Sequence, residues 1–428
     1  MYNIQKKSLG KYQIVVCGGG IAGVCAAVTA AREGAKVLLL ERGGCLGGTL
    51  TEGHVPQIMD GFNKGGLVKE IFHFLNEHNM TCARKGNKVD EQGNRIPGSM
   101  VDTEGAKYFF DKICLESGVK VLYFSQVMAV DVEDKKIREL LIATENGNYT
   151  AQADIYIDAT GNGTVADLAG CKWECGDPDE GRVSPTSISS CVIGMPADYN
   201  GTDTSAEKTA YGQMLLSHGI DVTMQQAFAV KLPSLQSWHF GVNFGYNAMP
   251  DDIHSLSDAV TKGRMETFET IEKHKKIPGY ETLHMAFSST HVGVREGRRI
   301  FGEYRITDAD ILEGRKFEDG ICTVTFGVDV HKLKEDDTTD GKRGYRTIPY
   351  HIPYRSLVPQ DCDNLLLAGR CISGDFYPHA SYRVMGNMAA TGEAGGFAAA
   401  VCVKEGLLPR EFDGKRASAF MKIRGYEI

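Results

Sequence analysis

The stretch Gly18-Gly19-Gly20-Ile21-Ala22-Gly23 constrains the fold more than any other part of the chain. It fits Gly-x-Gly-x-x-Gly and lies between an apolar run, Gln13 to Cys17, and a small, alanine-rich run, Ile21 to Arg32. That setting predicts a strand, a tight turn and a helix, then a second buried strand at 36–41 that ends in Glu41. The two strands of such a unit lie parallel. A secretory signal competes for the same residues, because Lys6, Lys7 and Lys11 precede the apolar stretch. Three glycines interrupt the helix that such a signal requires.

Each residue of the turn has a reason. Gly18 permits the bend, Gly20 lets a pyrophosphate approach the backbone, and Gly23 brings the helix close to the strand. Ile21 and Ala22 open the helix and belong to the same candidate binding set. The carboxylate of Glu41 is placed to accept hydrogen bonds from an adenosine ribose.

At 428 residues, the chain exceeds what one core usually serves. A formal charge of −8 without a basic stripe argues against nucleic acid, and no apolar run is long enough to span a bilayer. Twelve scattered cysteines with no Cys-x-x-Cys point to a reducing cytoplasm. Cys171 and Cys175 lack the further ligands of a zinc site, so no metal is expected. Periodicity adds a helix at 102–115, a strand at 119–124, a small antiparallel meander over 127–152 and an apolar return strand at 153–159. From 184 to 341 the texture changes to mixed strands and polar helices, with strands at 187–193 and 238–244 and a helix at 253–275. A buried strand near Leu365 and a small-residue helix over 384–405 then complete the first unit. The expected class is α/β: a Rossmann-like nucleotide-binding domain with a parallel sheet and small meander (1–183 and 342–428), and an inserted α+β substrate or cap domain (184–341).

The choice between NAD and FAD turns on the residues just after Glu41. Arg42 precedes the glycine pair Gly47-Gly48 and then Thr49, an extension that a simple NAD domain does not use. FAD is longer and needs a second backbone approach near its pyrophosphate and ribityl chain. The strand into Asp158-Ala159-Thr160-Gly161-Asn162-Gly163 resembles a second fingerprint, but 170–185 offers no strand with a terminal acid. A return strand closing over the cofactor explains Thr160 and Gly161 better. Val127, at the start of the meander, joins the FAD set. Gly369-Arg370 comes after the strand at 365–367, and Arg383-Val384-Met385 opens a helix. Its N-terminus suits the negative charge that develops on a reduced flavin.

These blocks resemble the bacterial FAD-dependent oxidoreductase family whose flavin domain is like that of glutathione reductase. The likeness rests on Gly18–Gly23, Glu41–Thr49, Asp158–Gly163, Val292–Thr307 and Ile348–Ala400, the last including "IPYRSLVP", "NLLLAGRCIS" and "RVMGNMAATGEAGG". It implies bound FAD, two domains and redox activity on an unidentified small organic substrate. One departure stands out: where the family has a histidine after "AGRCIS", this chain has Phe376, and its histidine comes later, at His379.

On the substrate side, Arg295 is the first candidate, as a carboxylate binder or anion stabiliser. Its alternative is an ion pair with Glu296 or Glu303. His379 and Tyr382 are candidate acids or bases, or else packed aromatic groups. Cys45 precedes the glycine pair, but its next cysteine is Cys82, so a thiol relay is disfavoured and a small buried thiol preferred to covalent flavin attachment. The leading expectation is hydride transfer at flavin N5. A flavoprotein isomerase or hydratase without net redox, and a flavin-bearing electron-transfer subunit, remain as alternatives. The sequence assigns neither an electron acceptor nor an oligomeric state.

Overall fold

The computed structural model describes residues 5–83, 100–234, 236–335 and 344–428. The first unit forms as its pattern requires. Strand β1 (Lys6–Cys17) buries Ile14 to Cys17, helix α1 is Ile21–Arg32, and strand β2 (Val37–Leu40) is buried along its whole length. β1 and β2 pair in parallel, with Ile14 opposite Val37 and Cys17 opposite Leu40.

The main sheet runs in the order Lys120–Leu122, β2, β1, Gly147–Asp158, Lys136–Thr144, Gln126–Glu133, with Leu365–Leu367 also on Gly147–Asp158. The meander and the return strand are therefore one structure. Gly147–Asp158 is a single strand, parallel to β1 along most of its length. Its first half pairs antiparallel with Lys136–Thr144, and its last residues pair in parallel with Leu365–Leu367. Burial explains the continuity: Gln152 and Asp154 are exposed, but Ile155, Tyr156 and Ile157 feed the same core as β1.

The long helix Met385–Glu405 covers α1. A side chain at Gly392 or Gly396 would collide with the carbonyls of Ala22 and Ala26, so small residues one helical turn apart let the two backbones touch. α1 is thus buried on nearly every side, which accounts for its alanine content.

The residues expected to form a cap carry an antiparallel sheet of their own, the cap sheet, ordered Phe228–Lys231, Ser237–Gly241, Ser190–Ile193, His284–Ser288. They have their own core too, built on Val192, Leu215, Trp238, Phe240, Ile271 and Leu283. The helix Ile253–His274 starts at Asp252, whose carboxylate accepts from the backbone of His254 and Ser255. Residues 300–333, which the change of texture groups with the cap, supply Ile300, Ile306, Ile321 and Val330 to the larger core. Among the described residues, no helix is long and apolar enough to cross a membrane.

Candidate functional site

The site begins at the β1–α1 turn. Gly18 has φ +100°, and a side chain there would strike the Ala159 carbonyl. A side chain at Gly23 would strike Gly18 O. Gly20 differs, because a Cβ at that position would meet no atom within 4 Å. Its φ of −63° and ψ of 174° make it the N-cap of α1, without a side-chain cap. Among the described residues, the amides of Ile21, Ala22 and Gly23 donate to no protein acceptor. Bare amides on an open glycine face, at the positive end of a helix, have the form that a diphosphate receptor requires.

Neighbouring loops are tied to this turn. Gly47 N donates to Gly19 O at 2.8 Å, and Gly47 and Gly20 form a parallel bridge. Gly48 lies against the Gly20 backbone, and Thr49 belongs to the short helix that begins there. Glu41 is buried, and its oxygens accept from Gly19 N and Gly43 N, each at 2.6 Å. It braces two glycine turns, and each oxygen keeps a lone pair for a ribose hydroxyl. Val127 is buried just beyond Ser125, whose amide donates to Glu41 O at 2.8 Å. Arg42 reaches out to His291 Nε2, whose pKa is pushed down to about 4 by burial and by the Arg42 and Arg370 charges.

On the other side of the turn, the fully buried Asp158 accepts from Thr160 N, Thr160 Oγ1 and Ala166 N. Burial raises its pKa, and these hydrogen bonds oppose the shift. Gly369 N donates to Thr391 Oγ1 at 2.9 Å, and a Cβ on Gly369 would lie 3.2 Å from that of Ala22. Val384 caps the helix that Met385 opens, again without a side-chain cap. Two residues on, Asn387 is fully buried with both polar side-chain atoms unpaired. A primary amide offering donor and acceptor together complements the imide edge of an isoalloxazine. The turn, the glycine pair and this orphaned amide all fit FAD.

The three candidates on the substrate side fare differently. Tyr382 is fully buried and donates to Ile372 O at 3.0 Å, and burial raises its pKa. His379 meets Arg370 O through Nε2 at 3.2 Å and packs edge-on against Tyr382, with ring centres 5.5 Å apart. Burial and the nearby Arg299, Arg383 and Arg370 charges hold its pKa well below the usual imidazole range. Arg295 pairs with neither expected glutamate. Glu296 is taken by Arg299, and Glu303 by Arg410. Arg295 Nη1 instead donates to Pro185 O at 2.6 Å, with its guanidinium 5.2 Å from the Phe244 ring centre. Phe244 in turn touches His331 and Tyr246, and Tyr246 lines a pocket of about 370 Å³ with Arg182, Asn247, Lys334 and Glu335.

Sequence reasoning misses His54, which falls in no periodic run. It lies just beyond the glycine pair, takes a left-handed backbone conformation (φ +46°), and is buried with both ring nitrogens unpaired. Its ring meets Phe287 at 4.5 Å and His239 at 5.7 Å, both on the cap sheet. Its pKa is pushed down to about 4 by burial and the Lys107 charge. Left-handed strain costs about 1–3 kcal/mol, and an unmet buried polar group about as much. The only signal in the residues is its place in the "GGTLTEGH" loop. Cys45 is half-buried against Thr51 Oγ1, and burial raises its pKa, so it stays a thiol. No disulfide joins the described cysteines.

A family model described as FAD dependent oxidoreductase matches residues 13–422. None of the curated protein sequences matches the chain. Among solved structures, a geranylgeranyl bacteriochlorophyll reductase-like protein from Thermoplasma acidophilum is similar at 14% identity and a TM-score of 0.46, covering 99% of this chain and 93% of its own. The p-nitrophenol 4-monooxygenase PnpA from Pseudomonas putida DLL-E4 is similar at 14% identity and a TM-score of 0.49, covering 97% and 85%. The flavin-dependent brominase Bmp2 is similar at 14% and 0.49, covering 96% and 83%.

Proposed function

This chain belongs to the FAD dependent oxidoreductase family, and from that membership we propose that it oxidises or reduces a small organic substrate where the cap sheet meets the flavin domain. FAD, when bound, supplies a two-electron carrier whose N5 takes or returns a hydride. The bare amides of Ile21–Gly23 hold the diphosphate, Glu41 the ribose, and Asn387 the ring edge.

The observation that carries the reading is His54. Two rings of the cap, Phe287 and His239, close on a residue of the cofactor loop and leave its polar nitrogens facing no protein partner. A buried polar seam of this kind is suited to shielding a reacting centre from water. Because its pKa is near 4, His54 is neutral at physiological pH and offers one donor and one acceptor to a bound molecule. Cysteines without disulfides among the described residues support a reducing compartment such as the cytoplasm.

The test is an anaerobic screen of metabolites against the purified yellow protein, and then reoxidation with oxygen, a quinone, a carrier protein or nicotinamide. A substrate bleaches the flavin band, and one acceptor restores it. A colourless protein that takes up no FAD on reconstitution overturns the reading.

A further inference from the structure

Three guanidiniums gather where the cap joins the flavin domain. Arg370 uses every nitrogen: Nε donates to Gly161 O at 3.2 Å, Nη1 to Val294 O and Nη2 to Asn162 Oδ1. Arg383 donates through Nη1 to Arg295 O and through Nη2 to Asp329 O, the latter at 2.7 Å. Their targets include consecutive carbonyls, Val294 and Arg295, so two cations clamp the backbone that carries a third. Arg295 spends only Nη1, on Pro185 O. Its Nε–Nη2 edge has no acceptor among the described residues.

The surrounding acids are engaged elsewhere. Glu296 is held by Arg299, Glu303 by Arg410, and Asp329 lies 3.5 Å from His331. Asp329 favours the charged forms of Arg295 and Arg383 from a distance, but among the described residues none of the three arginines forms an ion pair. Burial and mutual repulsion push Arg295 and Arg370 down to about 10. Clustered, half-buried cations without a directly paired carboxylate are costly, and an anionic ligand lowers the cost.

We infer that the free Nε–Nη2 edge of Arg295 binds a carboxylate of the substrate, which makes the substrate class small organic acids. This rests on the function proposed above. The planar fork matches two carboxylate oxygens side by side. Arg370 and Arg383 are positioning residues that fix the fork. The diphosphate of FAD is the other anion at hand, and it has its own receptor in the turn amides. Of the three, Arg370 adjoins Gly369, where a Cβ would lie 3.2 Å from that of Ala22 beside the receptor.

The test titrates FAD-loaded full-length protein with monocarboxylates from acetate to benzoate, each against its neutral amide, and with inorganic phosphate. Flavin absorbance and binding heat are the readouts. At least one carboxylate is expected to bind about ten-fold or more tightly than its amide, consistent with a charged hydrogen-bond pair. Arg295→Gln should abolish that preference at unchanged FAD content, and Arg295→Lys, which keeps charge but not the fork, should restore part of it. Equal binding of carboxylates and amides, or a preference that survives Arg295→Gln, overturns the inference. So does loss of FAD from both variants, which would make Arg295 part of the cofactor site. A wild-type protein that never takes up FAD refutes the proposed function instead. Phosphate binding that outcompetes every carboxylate identifies a phosphate subsite and also counts against the inference.

Discussion

The turn Gly18–Gly23 and the arginine set at the seam offer two opposite means of meeting negative charge. The turn uses neutral amides, held by consecutive residues and needing no counter-ion. Its geometry is purely steric, since the carbonyls of Ala159 and Gly18 leave no room for side chains at Gly18 and Gly23. The seam uses full charges brought from positions 295, 370 and 383, each anchored on carbonyl groups. An amide receptor withstands changes in charge but not an added methyl group. A guanidinium receptor tolerates small changes of volume but depends on every anchoring hydrogen bond.

The contrast is broken most forcefully at Gly23. Gly23→Ala drives a methyl group into Gly18 O and is expected to abolish FAD binding and to cost about 3 kcal/mol of stability, read by flavin content and chemical denaturation. If a yellow, stable Gly23→Ala protein is recovered, the turn is not sterically closed.

Acid titration separates the regions next, because the turn has no titratable side chain and the seam contains His54. The folded pKa of His54, about 4, lies below its unfolded value near 6.5. As the pH falls, the unfolded chain therefore takes up the proton first. The contribution is complete above about pH 6.5 and is lost progressively toward pH 4, amounting to about 3 kcal/mol for this one group. His54→Asn tolerates the left-handed backbone and should remove that part of the pH slope in denaturation curves. An unchanged slope would place the acid sensitivity elsewhere, for example at His274, which is also pushed down to about 4 by burial.

Arg383→Met tests the clamp. It strands the carbonyls of Arg295 and Asp329, which costs about 2 kcal/mol, partly offset by relief of repulsion between cations. Carboxylate affinity, compared with wild type at matched FAD occupancy, should fall about ten-fold. Unchanged carboxylate affinity would show that Arg295 needs no positioning.

The smallest stability effect is expected at Gly20. Its Cβ would point into open space, so Gly20→Ala should change stability by no more than about 0.5 kcal/mol. The added methyl group covers the amide face, and FAD affinity measured by reconstitution should drop about ten-fold. Full affinity would mean that the diphosphate does not lie on that face.

Much of the nucleotide-binding framework is legible in the residues. Helix α1, strand β2 and the helix at 385–405 come out within a few positions because their signals are local: periodicity, a glycine turn and a run of small residues; β1 ends where expected but starts at Lys6 rather than at 13. The single strand 147–158 is not legible as one element. Nothing local marks that its edge changes partner from 136–144 to 365–367, more than two hundred residues away. Arg295 is legible as a polar residue in a family block, but its freedom from Glu296 and Glu303 is not. Which cation an acid chooses depends on distances across the fold, and Arg299 and Arg410 lie closer.

From its order of residues alone, this chain establishes a parallel unit with a glycine turn, because those features require only neighbours along the backbone. Folding in three dimensions decides which polar groups end up without partners: His54, buried against the cap rings, Asn387, buried at a helix start, and the free edge of the half-buried Arg295. An unmet donor or acceptor is defined by everything that surrounds it, and those surroundings come from segments far apart in sequence.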